Sequence, residues 1–339
     1  MADDHKDRLT RRELLKRAAS GAAGLALGAS LASCGASEAG KETSSAGAKA
    51  LPATGRAAVV LVRDEAALNE AGEVSATAVA GMLDRAVLAL TGESDRTAAW
   101  RRFVSPDDLV GVKSNVMMTP THPELLRAIC GGLTAAGVAD EHITTWDRDR
   151  AGVGMAEVDA LPRRLGYGKD DVSEGVWNST VLINVPGLKS HWLAGMAGAL
   201  KNWAGAVTRI NTRDRNVSYA FHADSCREIG VLNAIPPIRE RCRLIVVDAL
   251  RPLCHGGPQV DPRYLWDYKG LLVGTDPVAV DTIGAAIISG RRRQVRSGEW
   301  PLRPPVKHLA VADSEYGLGV SDRSRIDLIK LGWERDAFV

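Results

Sequence analysis

The sequence predicts an α/β chain, a layered fold with a largely parallel or mixed sheet flanked by helices. From Ala57 onward, short runs rich in Val, Ile and Leu alternate with stretches of helical pattern, as expected of strands joined by helices. Two of those stretches open with helix-start residues. The composition, 45% hydrophobic and 25% charged, fits a globular core.

Strands are expected near residues 57–62, 109–113, 143–146, 181–185, 244–247 and 271–273. The first marked helix follows Thr121, whose hydroxyl is placed to cap a segment carrying Leu125, Leu126 and Ile129. Glu124 stands at the reciprocal position of a capping box, and Pro123 is tolerated in the first turn. The second follows Asp276 and Pro277 and is expected to run to about residue 289, with Gly290 ending it. No internal repeat is present. The folded part, residues 57–339, is one elaborate domain or two lobes divided near Pro186-Gly187.

The chain before that part has a different character. Thr10-Arg11-Arg12-Glu13-Leu14-Leu15-Lys16 resembles a twin-arginine export signal. The uncharged run that follows, residues 18–33, is shorter than the roughly 20 apolar residues of a membrane span, and Gly21, Gly24 and Gly28 weaken it further. Leu31-Ala32-Ser33-Cys34-Gly35 resembles a bacterial lipobox. The resemblance implies cleavage before Cys34 and lipidation of its sulfur, so that residues 1–33 are the signal. Residues 34–56, rich in Ala, Gly, Ser and Thr without hydrophobic period, read as a flexible tether. The expected location is the periplasmic or cell-surface face of a bacterial membrane, reached through the twin-arginine machinery and held by a lipid anchor. Such substrates cross folded, often because they carry a cofactor.

Removal of the signal takes away six basic and four acidic residues, which brings the formal charge from +2 to zero. A neutral chain lacks the clustered charge that tracks phosphates, so nucleic acid is not an expected partner. The short cluster Arg291-Arg292-Arg293 with Arg296 reads as a solvated helix end or loop. Beyond Cys34 the cysteines are Cys130, Cys226, Cys242 and Cys254, with no Cys-x-x-Cys spacing, so no iron–sulfur cluster is expected. Cys226 and Cys242 are a candidate disulfide pair in an oxidising compartment. Cys130 fits the apolar side of a helix.

The chemistry is expected where strand ends open into loops. Lys113 with Asn115, Asp147, Lys189 with His191, Asp248, and Asp276 fall at such positions. Lys113, Lys189 and Lys201 sit in apolar surroundings, where a lysine needs a partner, so the three together suggest a shared anionic ligand or paired carboxylates. His191, His222 and His255 lie in loop or helix-start contexts. With Asp147 or Asp248 they suit a zinc, iron or manganese site, or they supply a general acid or base. Asp281, one turn inside an apolar helix, must face solvent, cap a neighbouring loop or pair with an interior cation, and with the lysines present pairing is the expectation. His122 reads as a first-turn residue, while His142 and His308 read as structural or exposed. His255-Gly256-Gly257-Pro258 offers a tight loop or a plain turn. No Gly-x-Ser-x-Gly elbow, Gly-x-Gly-x-x-Gly fingerprint or phosphate-loop lysine motif occurs.

Taken in order, Val112-Lys113-Ser114-Asn115, Thr121-His122-Pro123-Glu124-Leu125-Leu126, Gly187-Leu188-Lys189-Ser190-His191 and Ala199-Leu200-Lys201-Asn202 resemble the domain of unknown function 362 family. So do His222, Val247-Asp248, Gly256-Gly257-Pro258 and the run from Gly274 to Asp281. Some members carry an added ferredoxin-like segment; this chain lacks its cysteine array. The resemblance returns the same polar positions without naming a reaction. The reading is an exported lipoprotein enzyme that binds a small anionic substrate, or a metal or organic cofactor. Lys113, Asn115, Asn202, Asp276 and Asp281 would bind substrate, and His191, His222, Lys189 and Lys201 would act in catalysis. A divalent metal would sit on His191, His222 and Asp248. The alternative is a non-catalytic lipoprotein that captures an anion or cofactor.

Overall fold

The computed structural model describes residues 55–147, 155–158, 170–210, 221–257 and 259–339. Arg11, Arg12, Cys34, Pro258 and all but the last two residues of the tether lie outside them.

Twelve strands occur among the described residues. They are β1 (Ala57–Arg63), β2 (Val110–Lys113), β3 (Ile143–Trp146), β4 (Met155–Val158), β5 (Asp170–Ser173) and β6 (Val181–Asn184). Then follow β7 (Gly187–His191), β8 (Gly195–Ala197), β9 (Val207–Ile210), β10 (Cys242–Leu253), β11 (Gly270–Gly274) and β12 (Ile326–Gly332). The main sheet runs in the order β12-β1-β11-β10-β6-β2-β3. Strands β10, β6, β2 and β3 are mutually parallel, and β11 lies antiparallel to both β10 and β1. The sheet is therefore mixed, within the α/β layered class that the sequence predicts. Strands β4, β5 and β9 form a separate antiparallel sheet.

Among the described residues there are three core clusters, and two of them take most of the strand side chains, because successive side chains of a strand point to opposite faces. Val60, Val62, Val110, Val112, Val181, Ile183, Leu244 and Val246 share one core with α1 (Ala76–Thr91) and α2 (Pro123–Ala135). Val59, Leu61, Ile245, Val247 and Leu272 enter the other core. Each fully buried Val, Leu or Ile contributes about 1.5–3 kcal/mol of apolar transfer.

Some helix boundaries depart from the sequence expectation. The N-cap of α2 is His122, without a side-chain cap bond, and Pro123 occupies the first turn. The Thr121 hydroxyl instead donates to Val185 O at 2.8 Å and accepts from Asn115 N at 2.9 Å, fastening two strand-end loops. Glu124 pairs with Arg127 rather than with the helix start. A four-residue helix, α3 (Ala199–Asn202), follows β8. Asp276 does cap α4 (Pro277–Arg296), accepting from Val278 N and Ala279 N. That helix continues past Gly290, where a Cβ would come within 2.4 Å of Phe338; glycine there admits a neighbour and does not end the helix. Arg293 and Arg296 on its last turns are exposed, but Arg292 is buried, 3.9 Å from the Trp300 ring centroid and bonded to Cys254 O. A further helix, α5, spans His308–Ser314 and packs on α4.

The long strand β10 positions the site. Its first part pairs β6 and its second part pairs β7, both in parallel. Between β6 and β7, Pro186 has no N–H to donate, and its carbonyl accepts from Asp248 N at 2.8 Å. At Gly187 a Cβ would stand 2.2 Å from Thr119 O, so only glycine lets the loop after β2 approach this closely. The cysteines at 130, 226, 242 and 254 are all free, which replaces the candidate pairing of Cys226 with Cys242. Cys130 is only partly buried. No helix among the described residues is long and apolar enough to cross a membrane.

Candidate functional site

Four strand ends and one short helix meet at the carboxyl side of the parallel strands. Lys113 ends β2, Asp147 follows β3, Asn184 ends β6, and β7 carries Lys189 and His191. The Asn202 amide on α3 donates to Asn184 Oδ1 at 2.8 Å and to Lys113 O at 3.3 Å. Asn184 in turn donates to Ala199 O at 2.9 Å. This amide lattice fixes Lys201 and Asn202 against the sheet.

The three lysines are treated differently. Lys113, 1% exposed, donates to Asp147 Oδ1 at 2.5 Å and to Ser114 O at 2.7 Å. Asp147 Oδ2 accepts from Val116 N at 2.7 Å. The charge of Lys113 is therefore met by a carboxylate inside the protein. Lys189, 6% exposed, donates to Asn115 Oδ1 at 2.9 Å and Met117 O at 3.1 Å, both neutral acceptors. Asn115 is locked for this task, because its amide nitrogen donates to Met117 O and Thr119 O. Burial, with Lys201 and Lys113 nearby, pushes the Lys189 ammonium down to about 7, against the weaker pull of Asp147 and Asp248. Lys201 Nζ lies 3.0 Å from His222 Nε2.

The histidines form a second group around Lys201. The rings of His191 and His222 stack with centroids 5.7 Å apart and planes 2° from parallel. His191 Nδ1 accepts from Leu193 N at 3.2 Å. Burial first, then the charges of Lys201, His222, Lys189 and His308, push His191 down to about 3. His308, at the start of α5, has no exposed surface and, among the described residues, no hydrogen-bond partner at either ring nitrogen. Burial pushes it down to about 4, with Lys201 adding to the fall; the neighbouring Ser225 backbone opposes it, at a geometry short of a hydrogen bond. Three residues beside it, Asp224, Ser225 and Cys226, have φ of 45°, 64° and 58°. Left-handed backbone at non-glycine residues costs of order 1 kcal/mol or more each. Val116, Met117 and Trp192 are exposed apolar side chains on the segments that bear these groups.

Residues 152–286 match the family model described as domain of unknown function (DUF362). Over that span the chain is similar to DUF362. No curated protein matches the chain. The matched span includes Lys189, His191, Lys201, Asn202, His222, Asp248, Asp276 and Asp281, whereas Lys113, Asn115 and His122 lie outside it.

Three aspartates in the DUF362 span have roles other than those the sequence suggests. Asp281 does not pair with a lysine. Its two oxygens accept from Ala199 N at 2.6 Å and Leu200 N at 3.0 Å, capping α3. Gly198 is required there, since a Cβ would lie 2.1 Å from Asp281 Oδ1. Burial pushes Asp281 up to about 7, and the two N–H donors act the other way. Asp276, expected to bind substrate, spends one oxygen on the α4 cap and the other on Val320 N at 2.9 Å. Asp248, expected beside His191 and His222, holds His122 instead: its Oδ2 accepts from both His122 N and His122 Nδ1 at 2.8 Å. Among the described residues no three His, Cys, Asp or Glu side chains converge as metal ligands.

His255 packs among Tyr264 and Trp300 rather than with His191. In the segment after it, Gly257 N donates to Gln259 O at 2.9 Å, and Gly257 lies against the His191 backbone. A cleft of 280 Å³ opens at the other end of β2, lined by Leu109, His142, Trp146 and Glu174, among others, and includes none of these lysines. Sequence reasoning gives His122 only a first-turn role and reads His308 as structural or exposed, and so sets neither beside the lysines. The signal for His122 was its place one residue after Thr121, at a strand-end loop; for His308 there was none.

Proposed function

We propose that the chain is an exported, lipid-anchored protein whose DUF362-like span binds a small anionic substrate at Lys189 and Lys201 and acts on it chemically. One observation supports this above the others: Lys189 is a buried amine held only by neutral acceptors among the described residues, beside two further lysines. A buried ammonium without a carboxylate is costly, and a bound anion offsets that cost. Lys113 is the internal contrast, since its charge already faces Asp147. The twin-arginine and lipobox resemblances support the exported, anchored state.

Non-catalytic capture of an anion is favoured by one specific feature. Burial holds His191 neutral down to about pH 3, so its ring is not free to carry protons near neutral pH. Calorimetry with sulfate and acetate, whose charges do not change between pH 6 and 9, tests the binding site. The expected result is binding that weakens as pH rises through about 7, with Lys189→Met weakening it by at least roughly tenfold. Equal binding by the variant overturns the site. Chemical conversion of a molecule co-purified from the native membrane distinguishes enzyme from capture protein. Loss of membrane association in Cys34→Ala tests the anchor.

A further inference from the structure

We infer that His122, backed by Asp248, is the proton-transfer group of the lysine site, in the place that the sequence assigns to His191 and His222; this rests on the anionic-ligand reading of that site. The geometry is that of an imidazole fixed by a buried carboxylate. Asp248, whose side chain is 1% exposed, accepts at Oδ2 from the backbone and ring of His122, and at Oδ1 from Leu250 N at 3.1 Å. A carboxylate oxygen accepts, so Nδ1 of the ring carries the hydrogen and Nε2 is the open proton site. The His122 side chain keeps 26% of its surface exposed, so it is reachable from outside. This is the orienting logic by which a carboxylate fixes a histidine tautomer and steadies the imidazolium that forms.

The dyad is joined to Lys189 through a continuous set of contacts. Asp248 pairs in register with Gly187, two residues before Lys189 and on the same strand face. Thr121, next to His122, accepts from Asn115 N, and Asn115 Oδ1 holds the Lys189 amine. The charge of Asp248 is among those acting on Lys189. The groups facing the ring are Asp248 on β10, Glu124 on α2 and Arg251 on β10. Burial alone would lower the affinity of the ring for a proton; Asp248 and Glu124 outweigh burial and Arg251, and His122 is raised from its ordinary value. His191 and His308 are held neutral by burial, whereas His122 is raised from its ordinary value by its carboxylate partner.

The step is a proton transfer and balances without a co-reactant. An O–H or C–H bond of the bound molecule breaks, an N–H bond forms at Nε2, and the electron pair stays on the ligand atom. The new negative charge is met by the lysines. Asp248 remains ionised and the proton returns in the reverse transfer.

Nitrogen-15 NMR of the imidazoles in the full chain, with carbethoxylation mapped by mass spectrometry, tests this. Expected is an Nδ1–H tautomer for His122 titrating above 6.5. In Asp248→Asn the titration falls below 6.5, because burial then dominates. Saturating sulfate is expected to slow carbethoxylation of His122 by at least roughly fivefold in the parent and not in Lys189→Met. A tautomer with hydrogen on Nε2, a titration indifferent to Asp248→Asn, or sulfate that binds without shielding His122 overturns the assignment. Failure of sulfate to bind counts against the anion site, while the tautomer and the Asp248→Asn titration still decide the dyad.

Discussion

Lys113 and Lys189 stand at neighbouring strand ends, both almost fully buried, and the protein treats them in opposite ways. Lys113 meets the Asp147 carboxylate at 2.5 Å, whereas Lys189 meets an amide oxygen and a carbonyl. The first arrangement matches charge to charge, and the other carboxylate oxygen of Asp147 accepts from Val116 N. The second leaves a buried amine poised near pH 7. Equal burial therefore says little about role; the partner decides it. A paired charge holds strand ends together, and a charge held by neutral acceptors is available to a ligand.

The sharpest way to break this comparison is to remove both amines in turn. Lys113→Met strands Asp147 in the interior, and denaturant unfolding should show a loss of about 3–5 kcal/mol. A loss below about 1 kcal/mol would mean that the pair is not holding the fold. The next effect concerns Asp281, which supports the Lys201 segment. Asp281→Ala leaves the N–H groups of Ala199 and Leu200 without acceptors, at a cost of about 1–3 kcal/mol for each buried group left unsatisfied. Because burial raises Asp281 from 3.8 to about 7, the parent should lose stability as pH rises from 4 to 7, and the variant should lack that component.

The smallest change in stability is expected for Lys189→Met, within about 1 kcal/mol of the parent or above it, since a buried amine is replaced by an apolar side chain of similar volume. The sign with pH is opposite to that of Asp281. The folded state lowers Lys189 from 10.5 to about 7, so its contribution is complete above 10.5 and is lost as pH falls through 7. Parent stability should therefore rise between pH 7 and 10 relative to the variant. A flat difference would place the amine in contact with solvent and remove the contrast with Lys113.

Much of the scaffold was legible because it follows local rules. Strand β3 spans the predicted residues, Ile143–Trp146, a run of β-branched and aromatic side chains. Asp276 caps the helix that follows it, as its position before Pro277 requires. Strand β7 was not legible: Gly-Leu-Lys-Ser-His carries no strand pattern, and it is extended because β10 pairs it. The lysines were visible as charges in apolar surroundings, but their partners were not. Asp147 is 34 residues from Lys113, and His122 is 126 residues from Asp248.

The sequence by itself determined the alternation of strands and helices, the absence of a cysteine array, and the identity of the lysines, histidines and aspartates at strand ends. These depend on local periodicity and on residue chemistry, which neighbours along the chain reveal. Tertiary structure alone decided which carboxylate meets which cation. It gave Asp147 to Lys113, Asp248 to His122 and Asp281 to the start of α3, and it left Lys189 with neutral acceptors. The physical reason is that Coulomb attraction and desolvation act over a few ångströms in space, whatever the separation along the chain.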